Sequence, residues 1–224
     1  MQAMDQSAQD IVTAAVAQAE AHTSGEIVTV LADRSDGYTD VALLWAIAVS
    51  FSVMAIVTAF PDAFTGVVDR LLGHWSHVWT AGELLTLVTG LGLAAFLAMW
   101  AIQLWQPLKF LLIPKPVKAV RVRDAAVRHF RVGADRRTHG RTGVLLYLSM
   151  REHRAEIVAD EAIATKVEAE VWGKAMADML SEISKGKIAE GLAAGIRDVG
   201  EVLAEHLPRS DDDINELPDR LILV

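Results

Sequence analysis

Two uncharged apolar stretches constrain this chain more than anything else in it. Val41 to Phe60 (VALLWAIAVSFSVMAIVTAF) is 20 residues long, and Leu84 to Trp105 (LLTLVTGLGLAAFLAMWAIQLW) is 22. A bilayer core of about 30 Å is crossed by about 20 helical residues. Buried helices of soluble domains rarely run that far without a charge. The stretches therefore predict two transmembrane helices, at about 41–60 and 84–105, in a hairpin over 39–106. Charged residues still make up 22% of the 224, too many for a many-span transporter. The chain has no cysteine, which excludes a disulfide scaffold, a cysteine zinc site, an iron–sulfur cluster and a thiol nucleophile. A net charge of −8 argues against nucleic acid as the partner.

Neither stretch reads as a signal peptide, because no basic region precedes the first. Lys109, Lys115, Lys118, Arg121 and Arg123 follow the second stretch, whereas 61–83 carries only Arg70. The positive-inside rule then puts 106 onward in the cytoplasm, and a hairpin puts 1–40 there too. The expected location is a bacterial inner (cytoplasmic) membrane, with both termini cytoplasmic. The basic segment 109–141 also suits anionic lipid headgroups, at about 1 kcal/mol per residue near the surface; its first five charges serve equally as a topology signal. Between the stretches, Phe64, Val67, Val68, Leu71, Leu72, Trp75 and Trp79 recur at helical spacing. His74 and His77 lie three apart there, either as a metal pair or as two interfacial histidines.

The remaining residues read as two pieces of one soluble domain. Residues 7–22 predict an amphipathic helix capped by Ser7, and Glu26 to Leu31 (EIVTVL) predicts a strand. A helix and one strand cannot bury a core, so their partners lie beyond the hairpin. Val117 to Val132 reads as a basic helix with Val120, Ala126, Val127 and Phe130 on its apolar side. Gly143 to Ser149 (GVLLYLS) and Arg154 to Ala159 (RAEIVA) read as an antiparallel strand pair across a tight turn. Helices follow at about 161–168, 170–184 and 187–206, with Gly191 and Gly195 spaced for close helix packing. The expected fold class is α/β, a small sandwich interrupted by a transmembrane hairpin. The expected divisions are 1–38, 39–106, 107–208 and an acidic tail at 209–224.

The stretches SAQDIVTAAVAQAEAHTSGEIVTVLADRS and AVRHFRVGADRRTHGRTGVLLYLSMREHRAEIVADEAI resemble the TPM-domain family of thylakoid-lumen acid-phosphatase-like and related membrane proteins. The helical WGKAMADMLSEISKGKIAEGLAAGIRDVGEVLAEHLP and the tail NELPD fit as well. The chain looks most like the bacterial subgroup in which two spans interrupt the domain. The resemblance implies an αβα sandwich; some members are described as acid phosphatases and some as calcium-binding. Those members tend to carry an acidic residue before the glycine that opens the second strand. They also have a Gly-x-Gly turn after the third strand and an Asp shortly beyond. This chain departs at each point, with Gly140-Arg141-Thr142-Gly143, Ala159-Asp160-Glu161-Ala162, and Lys166 near the place of the later Asp.

The candidate polar cluster is Arg141, Thr142, Asp160 and Glu161. An antiparallel hairpin brings the start of one strand beside the end of the next, so Arg141 and Asp160 should be neighbours. Asp160 and Glu161 offer hard oxygens for Ca²⁺ or Mg²⁺, and Arg141 with Thr142 suits a phosphate. An Arg–Asp ion pair beside an acid in a first helical turn is the plainer alternative. Asp160 is also expected at the edge where α/β folds place ligands. Asp33, Asp36 and Asp40 should lie at the opposite end, near Ser149 and His153. No GxSxG, GxxxxGK[ST], HExxH or GxGxxG occurs. The expected function is an inner-membrane protein whose cytoplasmic domain is a binding or assembly module. The alternative is a metal-dependent acid phosphatase-like hydrolase, so enzymatic activity stays open.

Overall fold

A computed structural model describes residues 4–73, 77–133, 142–210, 217 and 219–224. The chain divides into two compact units: 1–36 with 115–224, and 37–114.

In the first unit, α1 (Gln6–Glu20) leads to β1 (Glu26–Ala32). After the second unit come α6 (Lys115–Gly133), β2 (Gly143–Ser149) and β3 (Arg154–Ala159). The single turn α7 (Glu161–Ala164), α8 (Ala169–Ser184), α9 (Ile188–His206) and β4 (Ile222–Leu223) follow. The sheet order is β3-β2-β1-β4. β1 pairs parallel with β2, Glu26 opposite Gly143 and Ala32 opposite Ser149, and parallel with β4. β2 and β3 pair antiparallel, Val144 opposite Ala159.

Side chains alternate across this sheet, and both faces are covered, which is why β1 and β2 read as nearly continuous apolar runs. Ile27, Leu31, Val144, Leu146 and Leu148 pack with Val12 and Val16 of α1, Met179 of α8, and Leu192, Ile196 and Leu203 of α9. Val28, Val30, Leu145 and Tyr147 on the other face pack with Val122, Ala126 and Phe130 of α6. The result is an α/β sandwich with helices on both sides.

Several sequence expectations need correction. Asp5, not Ser7, caps α1: its Oδ1 accepts the Ala8 N–H at 2.8 Å. Val120 is exposed and Val122 holds its place in the core, because at helical spacing Val122, and not Val120, shares the face of Ala126 and Phe130. The end of the acidic tail forms β4, with Leu217 and Leu221 buried. Two residues of strand leave too short a period to see in a sequence. Residues 165–168 lie outside any helix.

The second unit holds α2 (Thr39–Ala59), α3 (Pro61–Leu72), α4 (Ala81–Ile102) and α5 (Gln106–Leu112). α2 and α4 are long and apolar enough to cross a membrane. Ser50 Oγ donates to the Gly92 carbonyl at 2.8 Å. A Cβ on Gly92 would meet Met54 Cγ at 2.5 Å, so glycine permits this close approach. Leu44, Phe51, Leu85, Leu93 and Leu97 face outward, while Ala42, Ala46 and Gly92 face inward. Gln103, at the end of α4, donates to the Ala42 carbonyl at 2.9 Å.

Candidate functional site

The first unit carries buried polar groups at both ends of its sheet. At one end, Gly143 opens β2 between Glu26 of β1 and Asp160, which follows β3. Asp160 Oδ2 accepts the Gly143 N–H at 3.1 Å, and Asp160 N donates to the Gly143 carbonyl at 3.0 Å. Glu26 Oε2 accepts the Leu217 N–H at 3.3 Å. Both carboxylate residues are only 5% exposed. Thr142 Oγ1 donates to the Ser24 carbonyl at 3.1 Å, so it is tied to the loop before β1. Glu161 is exposed in the first turn of α7. Arg141 lies outside the described residues, and so does His74. The structure thus brings Thr142 and Asp160 to one edge and adds Glu26, which sequence reasoning missed. The signal was available: parallel pairing of EIVTVL with GVLLYLS in matching phase puts Glu26 opposite Gly143.

The register also corrects the expectation about edges. β1 and β2 begin at the Asp160 end, so their carboxyl ends, the usual ligand edge of a parallel sheet, are the opposite one. Two carboxylates beside a glycine are suitable donors for a hard cation, but Ca²⁺ takes six or more oxygens. Among the described residues no group of three or more His, Asp or Glu side chains converges to hold an ion.

At the carboxyl end, a network joins the turn after β2 to the segment after β1. Glu152 Oε1 accepts the Ser35 N–H at 2.9 Å, and its Oε2 accepts the Ser149 hydroxyl at 2.5 Å. Ser35 Oγ donates to Ser149 Oγ at 2.9 Å and lies 3.1 Å from the Tyr147 hydroxyl. Arg151 N donates to the Asp33 carbonyl, and Arg151 Nε to Asp33 Oδ2 at 3.1 Å. Asp36 pairs with Arg121 at 3.3 Å. Asp33 and Ser149 thus share this end, as their places in the sequence suggest. His153 closes the turn at φ +50°, in the left-handed region. Ser149 is fully buried, so its hydroxyl serves the network and is closed to a substrate in this conformation.

Electrostatics follow burial. The Tyr147 phenol is pushed up by burial, and its ring stacks on His129 at 5.6 Å. Burial, with Arg128 adding to it, pulls the His129 imidazole down and favours its neutral form. Away from both edges, Asp198 on α9 is pushed up by desolvation and then by the Asp178 carboxylate on α8. Those two carboxylates line a surface cleft with Glu182, Lys187, Glu190 and Arg197.

Residues 118–202 match the family model described as the TPM domain. No curated protein matches the chain. Among solved structures, the BA42 protein from the psychrophilic bacterium Bizionia argentinensis, determined by NMR, shares the fold at a TM-score of 0.56 and 18% identity. That alignment covers 100% of this chain and 97% of the other. The matched segment begins in α6 and ends in α9, and the fold likeness extends to α1 and β1. On these findings residues 118–202 carry a TPM domain, and the fold of the whole chain is like that of the BA42 protein.

Proposed function

We propose that the chain is an integral protein of a bacterial inner membrane whose TPM domain acts on the cytoplasmic side as a binding or assembly module. The observation that carries the membrane reading is the inverted packing of α2 and α4, with large apolar side chains outward and Ala, Gly and Ser between the helices. That is the pattern expected where lipid, not water, is the solvent. The concentration of Lys and Arg after α4 supports the cytoplasmic side for the domain. The same residues are suited to anionic lipid headgroups. The binding role is supported by how the buried carboxylates are used: Glu26, Asp160 and Glu152 each accept backbone N–H groups. A metal-dependent phosphatase-like hydrolase is the second reading, favoured by the two carboxylates flanking Gly143.

Reporter fusions at Arg70 and at the two termini test the topology; the expected result is Arg70 outside and both termini inside. A cytoplasmic reading at Arg70 overturns it. Thermal melts with EDTA, Ca²⁺ and Mg²⁺, beside an assay on a generic phosphomonoester, test the domain. The expected result is no divalent-dependent shift and no turnover. A Ca²⁺-dependent rise abolished by Asp160→Asn, together with turnover, moves the hydrolase reading to first place.

A further inference from the structure

From the packing of α3 we infer that this helix lies flat in the outer lipid–water interface, its apolar side inserted among acyl chains. The inference rests on the membrane reading of α2 and α4. α3 starts two residues after α2 ends, with Phe60 alone between them, so it begins at the level where the apolar span stops. Its sequence separates two sides at helical spacing. Phe60, Phe64, Val67, Val68 and Leu71 fall on one, and Asp62, Gly66, Asp69 and Arg70 on the other.

In a water-soluble hairpin, the apolar side of such a helix would turn inward. Here Phe64 and Val68 are only half-buried, and the rest of that side stays open: Val67 is 52% exposed and Leu71 is 79% exposed. Thr65 Oγ1 donates to the Pro61 carbonyl at 3.1 Å. Asp69 on the polar side accepts the Trp79 indole N–H through both oxygens, at 3.3 and 3.4 Å. That bond holds the far end of the helix beside the start of α4, next to a side chain that favours the interface. A helix of 12 residues is also too short to persist alone in water, so an apolar surface to lie on is part of its stability.

The occupant is a lipid surface, and charge says which kind of contact. Two acids against one arginine on α3 give no attraction for anionic headgroups. Insertion is therefore driven by apolar area and needs no anionic lipid.

The chain has no cysteine, so single-cysteine variants label cleanly. The full-length protein is reconstituted in phosphatidylcholine vesicles with an environment-sensitive fluorophore at Val67→Cys, Leu71→Cys, Asp62→Cys, Arg70→Cys or Leu93→Cys. Brominated phosphatidylcholine is the quencher. About half of the emission should be lost at Val67 and Leu71, which would sit about 5–10 Å deep, and little at Asp62 and Arg70. Leu93 reports the span itself and should be quenched. Quenching at Leu93 without quenching at Val67 and Leu71 overturns the inference and leaves the membrane reading standing. Equal quenching at all four α3 positions overturns the flat orientation. Loss of quenching at Leu93 overturns the membrane reading and the inference with it.

Discussion

Glu152 is the side chain on which most of the carboxyl-end network depends. It is 5% exposed and accepts one backbone and one hydroxyl hydrogen bond. Removing it leaves the Ser35 N–H without this acceptor, and hydrogen bonds to charged groups are each worth about 1.5–3 kcal/mol. Glu152→Ala should therefore destabilise the first unit by about 2–4 kcal/mol. Urea or thermal unfolding of the detergent-solubilised chain reads the loss; a change below 1 kcal/mol would mean the network contributes little. Asp198 works in the other direction. Burial and then Asp178 raise its folded pKa above the usual Asp value, with Lys174 partly offsetting this and Glu201 adding to it. A raised folded pKa means stability that is complete below the unfolded pKa, about 3.9, and lost as pH rises through the folded value. Asp198→Asn should thus stabilise the chain at pH 7 by less than about 1 kcal/mol, since the residue is only half-buried and lines an open surface cleft. The gain should vanish in melts near pH 3. A gain of the same size at both pH values would assign it to packing instead of charge.

The α8–α9 pair shows how element packing turns on single glycines. A Cβ at Gly191 would come within 2.6 Å of Ile183 Cγ1 and 2.8 Å of the Met179 carbonyl. The backbone carbonyl cannot swing aside as a side-chain end can. Gly191→Ala should cost about 1–3 kcal/mol by overpacking, despite the better helix propensity of alanine. Gly173 in α8 has nothing within 4 Å of a built Cβ, so Gly173→Ala should gain up to about 1 kcal/mol from propensity alone. Opposite signs in paired melts support close packing; equal signs would refute it. At this scale much was legible. β2 and β3 have the expected bounds: β2 is buried throughout and reads as a continuous apolar run, and β3, half-buried at the sheet edge, is set off by the tight turn before it. The α8–α9 contact follows from the spacing of Gly191 and Gly195. What was not legible depends on pairing across distance. Glu26 becomes part of an edge only once β1 is laid beside β2, and β4 is two residues long. Ser35, Ser149 and Glu152 look like ordinary loop and turn residues until the register brings them together.

The first unit takes its strands from both sides of the second. β1 sits between β2 and β4, so the middle of the sheet comes from before the hairpin and its neighbours from after. Without α1 and β1, β2 loses its parallel neighbour and Leu192, Ile196 and Leu203 of α9 lose Val12 and Val16, and the exposed strand edge invites aggregation. Residues 117–224 alone should therefore be protease-sensitive and unfold without cooperativity. The complementary variant keeps both pieces and removes what lies between. Asp36 and Arg121 meet at 3.3 Å, and Arg121 lies six residues into α6, about 9 Å along its axis. A flexible linker of about ten residues, reaching roughly 30 Å when extended, spans from position 36 to position 115 with slack. Replacing 37–114 with such a Gly/Ser linker should give a chain that stays in solution without detergent and unfolds in one cooperative transition. Circular dichroism melts and size-exclusion chromatography decide it. A collapsed, uncooperative product would mean that the first unit needs the second in order to fold. A cooperative fragment of 117–224 would mean that α1 and β1 are dispensable and that the sheet is completed by β4 alone.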